Sequence, residues 1–365
     1  MIQSLALQHF RIYSSKTFTF SQPTTVIVGP NAIGKTSILE AISLLSTGHS
    51  FRADRVEEMI AFEQELGRIK SKVRSVKSIA GDDPPDQEEV TLEVLLTRGE
   101  VQGKRTLKTL YSVNDVRRRK KDFLGHFYTV LFRPEDMRLV EGSPSRRRRF
   151  LDVPLSILDH EYAHSLTAYE QTLKRRNKLL ELVREQLSPE TALTYWNMSL
   201  IKHGQKLQQS RQAFLHSFNS VEFPLSFSVE YQPSLISEDR IKQYQKKEVV
   251  IGHTLIGPHK DDFIVKLKVG KHTAESTDVA IYGSRGQQRM AVLWLKIGEL
   301  AYVESTTGTK VTLLLDDILS ELDQESRQRV MTLLGERQTI ITTTEPRVVE
   351  EIESVSSQLD IIALE

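Results

Sequence analysis

One octapeptide restricts the possible folds of this 365-residue chain more than any other feature. Gly29-Pro30-Asn31-Ala32-Ile33-Gly34-Lys35-Thr36 has the spacing G-x-x-x-x-G-K-[ST] of a phosphate-binding loop. Its context fits. Thr25-Val26-Ile27-Val28 reads as a short buried strand before it, and Ser37 to Leu45 has the apolar spacing of a helix packed on a sheet. A loop between such elements aims successive backbone N–H groups at phosphate oxygens, with the positive end of a helix behind them. The expected nucleotide contacts are Gly29, Pro30, Asn31, Ala32, Ile33, Gly34, Lys35, Thr36 and Ser37. Lys35 is expected to reach the β- and γ-phosphates and the Thr36 hydroxyl to ligate Mg²⁺. A nucleoside triphosphate, ATP with Mg²⁺, is the expected ligand.

A second run completes such a site. Val311-Thr312-Leu313-Leu314-Leu315-Asp316-Asp317 is an apolar strand ending in two carboxylates, and ligands of open α/β sheets bind at the carboxyl ends of buried parallel strands. Asp316 is expected to hold Mg²⁺ through water and Asp317 to orient the attacking water. Gly283-Ser284-Arg285-Gly286-Gln287-Gln288-Arg289 leads into another helical pattern. Ser284, Gly286 and Gln287 at its start form an expected anion site that is redundant within one subunit. It makes sense if it caps the γ-phosphate held by a second copy, the logic of ABC-type ATPases. Ser320-Glu321-Leu322-Asp323 resembles their D-loop.

Between these halves the periodicity changes. Tyr162, Leu166, Tyr169 and Leu173 make one helical stripe, and Trp196, Leu200, Leu207, Phe214 and Phe218 make another after the break at Ser188-Pro189. They predict an antiparallel pair of long helices. The polar, Pro-containing stretch 75–90 reads as a loop. The expected fold is α/β, an ABC-type P-loop ATPase domain split by a helical, α-hairpin insertion. Its parts are 1–154 (N-terminal half), 155–250 (helical arm) and 251–365 (C-terminal half with signature, acidic strand and D-loop).

The net charge of +1 conceals polarity along the chain. Residues 101–150 hold fourteen Lys/Arg against five Asp/Glu, and residues 316–365 hold four Arg against twelve Asp/Glu. One basic surface facing a polyanion is therefore expected. The absence of cysteine excludes disulfides and thiolate chemistry. The start of the chain lacks the apolar core of a signal peptide, and no stretch is long enough to cross a bilayer, so a cytoplasmic protein without a membrane partner is expected.

Several runs resemble the RecF family, a compact relative of the SMC-like branch of ABC ATPases. They are Phe10-Arg11-Ile12-Tyr13, the P-loop with Leu39-Glu40-Ala41, Ser50-Phe51-Arg52 and Phe132-Arg133-Pro134-Glu135-Asp136. Pro144 with Arg147-Arg148 and Phe150-Leu151-Asp152, Arg176-Asn177, Gly257 to Asp262, Gly286 to Arg289 and Leu315-Asp316-Asp317 continue the series from end to end. The resemblance implies an ATP-dependent homodimer that clamps duplex and single-stranded DNA without sequence preference. It also implies weak DNA-stimulated hydrolysis, recombinational repair, and mediator partners such as RecR. The sequence departs from the pattern at Ala32, where the family usually has Gly. A residue of the run Thr342-Thr343-Thr344 stands where ABC ATPases carry a switch His.

For DNA, the densest basic run is Arg117-Arg118-Arg119-Lys120-Lys121, after an Asn114-Asp115 turn and expected on an exposed loop. Arg146 and Arg149 are also expected to face DNA, whereas Arg147 and Arg148 match the family pattern and suit internal pairing. Lys174, Arg175, Arg176 and Lys178 suit either a DNA clamp or a solvated helix face. His259 with Asp261 and Asp262 reads as a structural turn rather than a metal cluster. A kinase-type transferase, a transporter ATPase, and an SMC-like ATPase working with a separate nuclease are the alternatives. The signature-like run opposes the first. The insertion of about 250 residues between Lys35 and Ser284 opposes the second.

Overall fold

The structure, a computed structural model, describes residues 1–76, 87–268, 276–356 and 358–365. The loop expected at 75–90 lies largely outside the described residues, and its two ends belong to strands. The chain divides into two compact units, residues 1–136 with 299–365, and residues 137–298. The boundaries expected near 154 and 250 both fall within the second unit, because flanking strands and short helices pack with the long helices.

The first unit contains two sheets. Strands β1 (Ile2–Phe10), β2 (Tyr13–Thr19), β4 (Leu66–Val76), β5 (Gln87–Thr97), β8 (Thr109–Val113) and β9 (Val116–Arg118) form an antiparallel sheet in the order β2-β1-β4-β5-β8-β9. A two-residue pair, β6 (Glu100–Val101) with β7 (Lys104–Arg105), projects from it. The second sheet is wholly parallel, in the order β10 (Thr129–Phe132), β14 (Thr312–Asp316), β15 (Thr339–Thr343), β3 (Thr24–Val28), β16 (Leu359–Ala363). β14 and β15 are buried at every position, as the continuous apolar run of a covered parallel strand requires.

Helix α1 (Lys35–Thr47) is buried on nearly every side, with Ile38, Leu39, Ala41, Ile42, Leu44 and Leu45 in the core beside the buried polar Ser37, Glu40, Ser43 and Ser46. It packs on β10, β14 and β15 on one side and on β5 on the other, so it is covered by both sheets. At the other end of the basic run, short α2 (Lys120–Phe123) seats Phe123 in the same core. Helices α10 (Gln324–Thr332) and α11 (Pro346–Val355) complete the unit.

The second unit holds α3 (Arg138–Glu141), α4 (Pro144–Leu158), α5 (His160–Arg184), α6 (Leu193–Ser217), α7 (Glu238–Ile251), α8 (Val279–Tyr282) and the start of α9 (Arg285–Thr307). A three-stranded antiparallel sheet, β11 (Phe227–Gln232), β12 (Asp262–Lys268) and β13 (Ser276–Asp278), lies among them. The antiparallel pair α5 and α6 is present, but the buried face of α5 is more polar than its apolar stripe suggests. Tyr162, Ser165, Tyr169, Thr172, Arg176, Leu180 and Val183 are buried, while Leu166 and Leu173 are only partly covered.

Two charged networks explain that face. The Arg176 side chain is fully buried. It donates to Glu248 Oε2 on α7 at 2.6 Å, to Thr254 Oγ1 at 2.7 Å and to Asn197 Oδ1 on α6 at 2.7 Å. Arg211 on α6 pairs with Asp152 on α4 at 2.8 Å and with Asp261 at 3.0 Å, and donates to the Pro258 carbonyl. Hydroxyls of Tyr162 and Tyr231 donate to the same two carboxylates. His259 is part of this framework: its Nδ1 meets the Tyr169 hydroxyl at 2.8 Å, and burial pushes its pKa down to about 4. Gly257 has φ 117°, and a Cβ there would stand 2.4 Å from Tyr169 Oη, so both the turn and the packing require glycine. These contacts give the turn its structural role. No helix among the described residues is long and apolar enough to cross a membrane.

Candidate nucleotide site

The carboxyl ends of β3, β14 and β15 bring most of the expected phosphate-site residues together in one cavity of about 520 Å³, though Gly29, Pro30 and Ile33 are not among those lining it. Its lining includes Asn31, Ala32, Gly34, Lys35, Thr36, Ser37, Asp316 and Asp317. β15 separates the P-loop strand from the acidic strand, and its Thr342 joins them. Thr36 Oγ1 and Thr342 Oγ1 both donate to Asp316 Oδ1 at 2.9 Å. Asp317 N donates to the Thr342 carbonyl at 3.1 Å. The position expected to hold a switch residue therefore carries a hydroxyl that anchors the acidic strand.

Lys35 curls over its own loop, donating to the Gly29 and Pro30 carbonyls at 2.8 Å each. Burial lowers its pKa, opposed by the charges of Asp317 and Asp316. Burial likewise raises the pKa of Asp316, against the two threonine hydrogen bonds. Asp317 adopts φ 51°, and its Oδ1 is buried without a partner. A carboxylate oxygen buried without a partner at the end of a buried strand is the state expected of a group kept for a ligand.

The loop conformation also depends on two residues near its ends. Gly34 has φ 105°, and a Cβ on it would approach Tyr13 Oη to 2.6 Å. Ala32 has φ 65°, so the position where the family usually has glycine does require the left-handed region. Ala32→Gly is therefore expected to raise stability by up to ~1 kcal/mol, seen as a higher melting temperature. A lower melting temperature would show that Ala32 carries no strain.

Sequence motifs alone did not identify the other wall of this cavity, formed by Arg11, Ile12, Arg52, Glu58 and Ile60. Arg11 sits at the β1–β2 turn with φ 53° and is held there from α1. Glu40, fully buried, accepts from Arg11 Nε at 2.8 Å and Nη2 at 2.6 Å, while Arg11 Nη1 donates to the Glu58 carbonyl. Ser50 Oγ also donates to Glu40 and receives the Arg52 and Ala53 N–H groups. The available signal was a charged residue, Glu40, in an otherwise apolar helix. Arg133-Pro134-Glu135, noted in the sequence only as part of the family pattern, follows β10. The register pairs Phe132 with Leu315, bringing Arg133 and Glu135 close enough to act electrostatically on Asp316.

Ser284, Gly286 and Gln287 are not among the residues lining this cavity. They open α9 in the second unit, where Ser284 Oγ accepts from Gln287 N at 3.3 Å and Ser284 N donates to Gln287 Oε1 at 2.9 Å. This reciprocal capping box leaves Ser284 exposed. Ser320 Oγ donates to the Asp317 carbonyl at 2.8 Å, tying the D-loop-like run to the acidic pair.

The basic run is not a loop. Asn114 and Asp115, with φ 50° and 60°, make a tight hairpin turn, so Arg117 and Arg118 lie on edge strand β9. Arg119 and Lys121 are exposed beyond it, but Lys120 turns inward to 2.6 Å from His49 Nε2. Burial pushes the Lys120 pKa down to about 8. On α4, Arg147 makes a bidentate pair with Asp262, and Arg148 donates to the Asp261 carbonyl; Arg149 is exposed and Arg146 partly so. Arg176, considered for a solvated or DNA-facing helix surface, is instead the buried centre of a network.

The family model for the RecF/RecN/SMC N terminal domain matches residues 1–360. A DNA replication and repair protein RecF from Herpetosiphon aurantiacus is 35% identical, covering 94% of this chain and 93% of its own length. One from Bacillus cytotoxicus is 32% identical, over 94% and 91%. A solved structure of the recombination mediator protein RecF-ATPrS in the RecFOR pathway superposes with a TM-score of 0.82 at 29% identity, covering 94% and 92%. An SMC head bound to the C-winged helix domain of ScpA shares the fold alone, with a TM-score of 0.51 at 16% identity over 98% and 92%. The ABC-type ATPase fold and the similarity along nearly the entire chain lead to one conclusion: this chain belongs to the RecF family.

Proposed function

We propose that this protein is an ATP-dependent DNA-binding protein of recombinational repair, acting in the cytoplasm as an ATP-assembled homodimer. The convergence of Lys35, Thr36, Asp316 and Asp317, whose Oδ1 has no hydrogen-bond partner, in one cavity carries this reading. Backbone N–H groups of Gly29 and of Asn31 to Thr36, the first turn at Ser37 and the Lys35 ammonium would hold the phosphates, with Pro30 shaping the loop without donating. Thr36 and Asp316 are hard oxygen donors suited to Mg²⁺, which supplies charge neutralisation on the phosphates when bound. Asp317 is the residue assigned to orient water. Its short carboxylate, with Thr342 in place of an imidazole, suits slow turnover, with DNA as the expected stimulant. ATP-bound RecF structures support the choice of nucleotide.

Ser284, Gly286 and Gln287 are assigned to the second copy's nucleotide. The exposed capping box supports this, since a γ-phosphate can take over the N–H groups that Gln287 and Ser284 now satisfy in each other. DNA contacts are assigned to Arg117, Arg118, Arg119 and Lys121, with Arg146 and Arg149. Lys120 belongs to this group only if it leaves His49. Mediator proteins such as RecR are the expected partners of the DNA-loaded state.

The test is assembly. Mg·ATP is expected to convert monomer to dimer in sedimentation. Ser284→Arg should retain ATP as a monomer yet fail to dimerise, because the added side chain would occupy the phosphate position. A dimer that still forms with Ser284→Arg would refute this assignment.

A further inference from the structure

The open face of the six-stranded sheet carries a row of charge that none of the assignments above uses. Within β4, Arg68, Lys70, Lys72 and Arg74 alternate with buried Ile69, Ser71 and Val73, so all four cations stand on the solvent side. Like-facing positions along a strand are about 7 Å apart, and four of them span roughly 20 Å. That is about the length of six base pairs, at ~3.4 Å of axis each.

The register defines what flanks this row. Toward the edge, Arg68 lies opposite Gln8 and then Ser15, Lys70 opposite Ala6 and Thr17, and Lys72 opposite Ser4 and Thr19. These six residues are small or neutral and form a flat shelf that a sugar–phosphate backbone can approach closely. On the other side stand the acids. Glu93 meets Arg68 at 3.3 Å and Lys70 at 3.8 Å, Glu89 meets Lys72 at 3.2 Å, and Asp115 meets Lys70 at 2.7 Å. Arg117 on β9 adds a cation to the same face, since its partner Ser112 pairs with Glu93. Five cations thus face three carboxylates, with the acids confined to one side. Exposed ion pairs of this kind are weak, so phosphates can displace the carboxylates.

We propose that the β4 ladder, with the β1–β2 shelf beside it, is a docking surface for the phosphate backbone of duplex DNA. The proposal rests on the DNA-binding reading above but places the main contacts on β4, with Arg117 as the one residue it shares with the run 117–121. Contacts to phosphate would make binding independent of sequence and steeply dependent on salt.

The test uses the full chain and a fluorescein-labelled duplex of mixed sequence, with affinity measured across a NaCl series. Combined Arg68→Glu, Lys70→Glu and Lys72→Glu is expected to weaken binding at least tenfold at low salt. It should flatten the slope of log affinity against log salt by about 0.9 for each lost contact. Combined Glu89→Gln and Glu93→Gln is expected to tighten binding, a gain that impaired folding cannot mimic. If the wild-type chain binds the duplex and both variants retain its affinity and slope, the ladder is not the surface, and the DNA-binding reading stands. If the wild-type chain does not bind duplex DNA with or without Mg·ATP, both fail.

Discussion

Lys35→Met is expected to weaken ATP binding by about a hundredfold or more, corresponding to ~3 kcal/mol. The ammonium is the only side-chain cation within the P-loop itself, and its present partners are two carbonyls that a phosphate would outcompete. A charge-assisted bond between ammonium and phosphate is about twice as strong as a neutral one. Methionine keeps much of the stem packing while deleting the charge. Calorimetric titration with Mg·ATP measures the loss, and thermal unfolding without nucleotide checks the fold. Wild-type affinity in the variant would sink the assignment of this loop to phosphates. Dimerisation and any DNA-stimulated turnover should disappear with nucleotide binding.

The second large effect lies in the other unit and concerns stability alone. Glu248→Ala is expected to cost about 3–5 kcal/mol, because it leaves Arg176 buried without its carboxylate. Both side chains are fully shielded from solvent, and their 2.6 Å contact joins α5 to α7. Total stabilities of domains are of order 5–15 kcal/mol, so this loss should be visible as a large fall in the urea midpoint. Replacing the pair together, Arg176→Met with Glu248→Leu, should recover much of the loss, since no unpaired charge remains. A Glu248→Ala variant within ~1 kcal/mol of wild type would mean that water reaches the guanidinium.

These two sites differ in how legible they were. The P-loop and the acidic strand were readable because each is a contiguous segment whose local pattern sets its conformation. A strand must deliver Gly29, a helix must begin at Lys35, and an apolar run must end at Asp316. The structure adds the backbone reason for the family's Gly at position 32: Ala32 has φ 65°. The long helices α5 and α6 were equally clear from their spacing. Arg176 and Asp261 stood out as part of a basic helix face and of a turn, and Asn177 only within the family pattern, but nothing local announced that Arg176 pairs with Glu248 or that Asp261 pairs with Arg211.

The basic run shows a similar limit. Charge density identified residues 117–121, but the hairpin turn made two of them strand residues, and packing of Phe123 drew Lys120 toward His49. Conversely, the alternating cations of β4 were present in the sequence, while their solvent face, neutral neighbours and one-sided acids depend on pairing with β1 and β5. The sequence by itself determined which groups meet at the candidate nucleotide site, because chain neighbours supply most of them. Tertiary structure alone decided which charges are buried, which share a face and which walls close the cavity. Those outcomes depend on register and packing between segments far apart in the chain, where a residue's type does not reveal its partner.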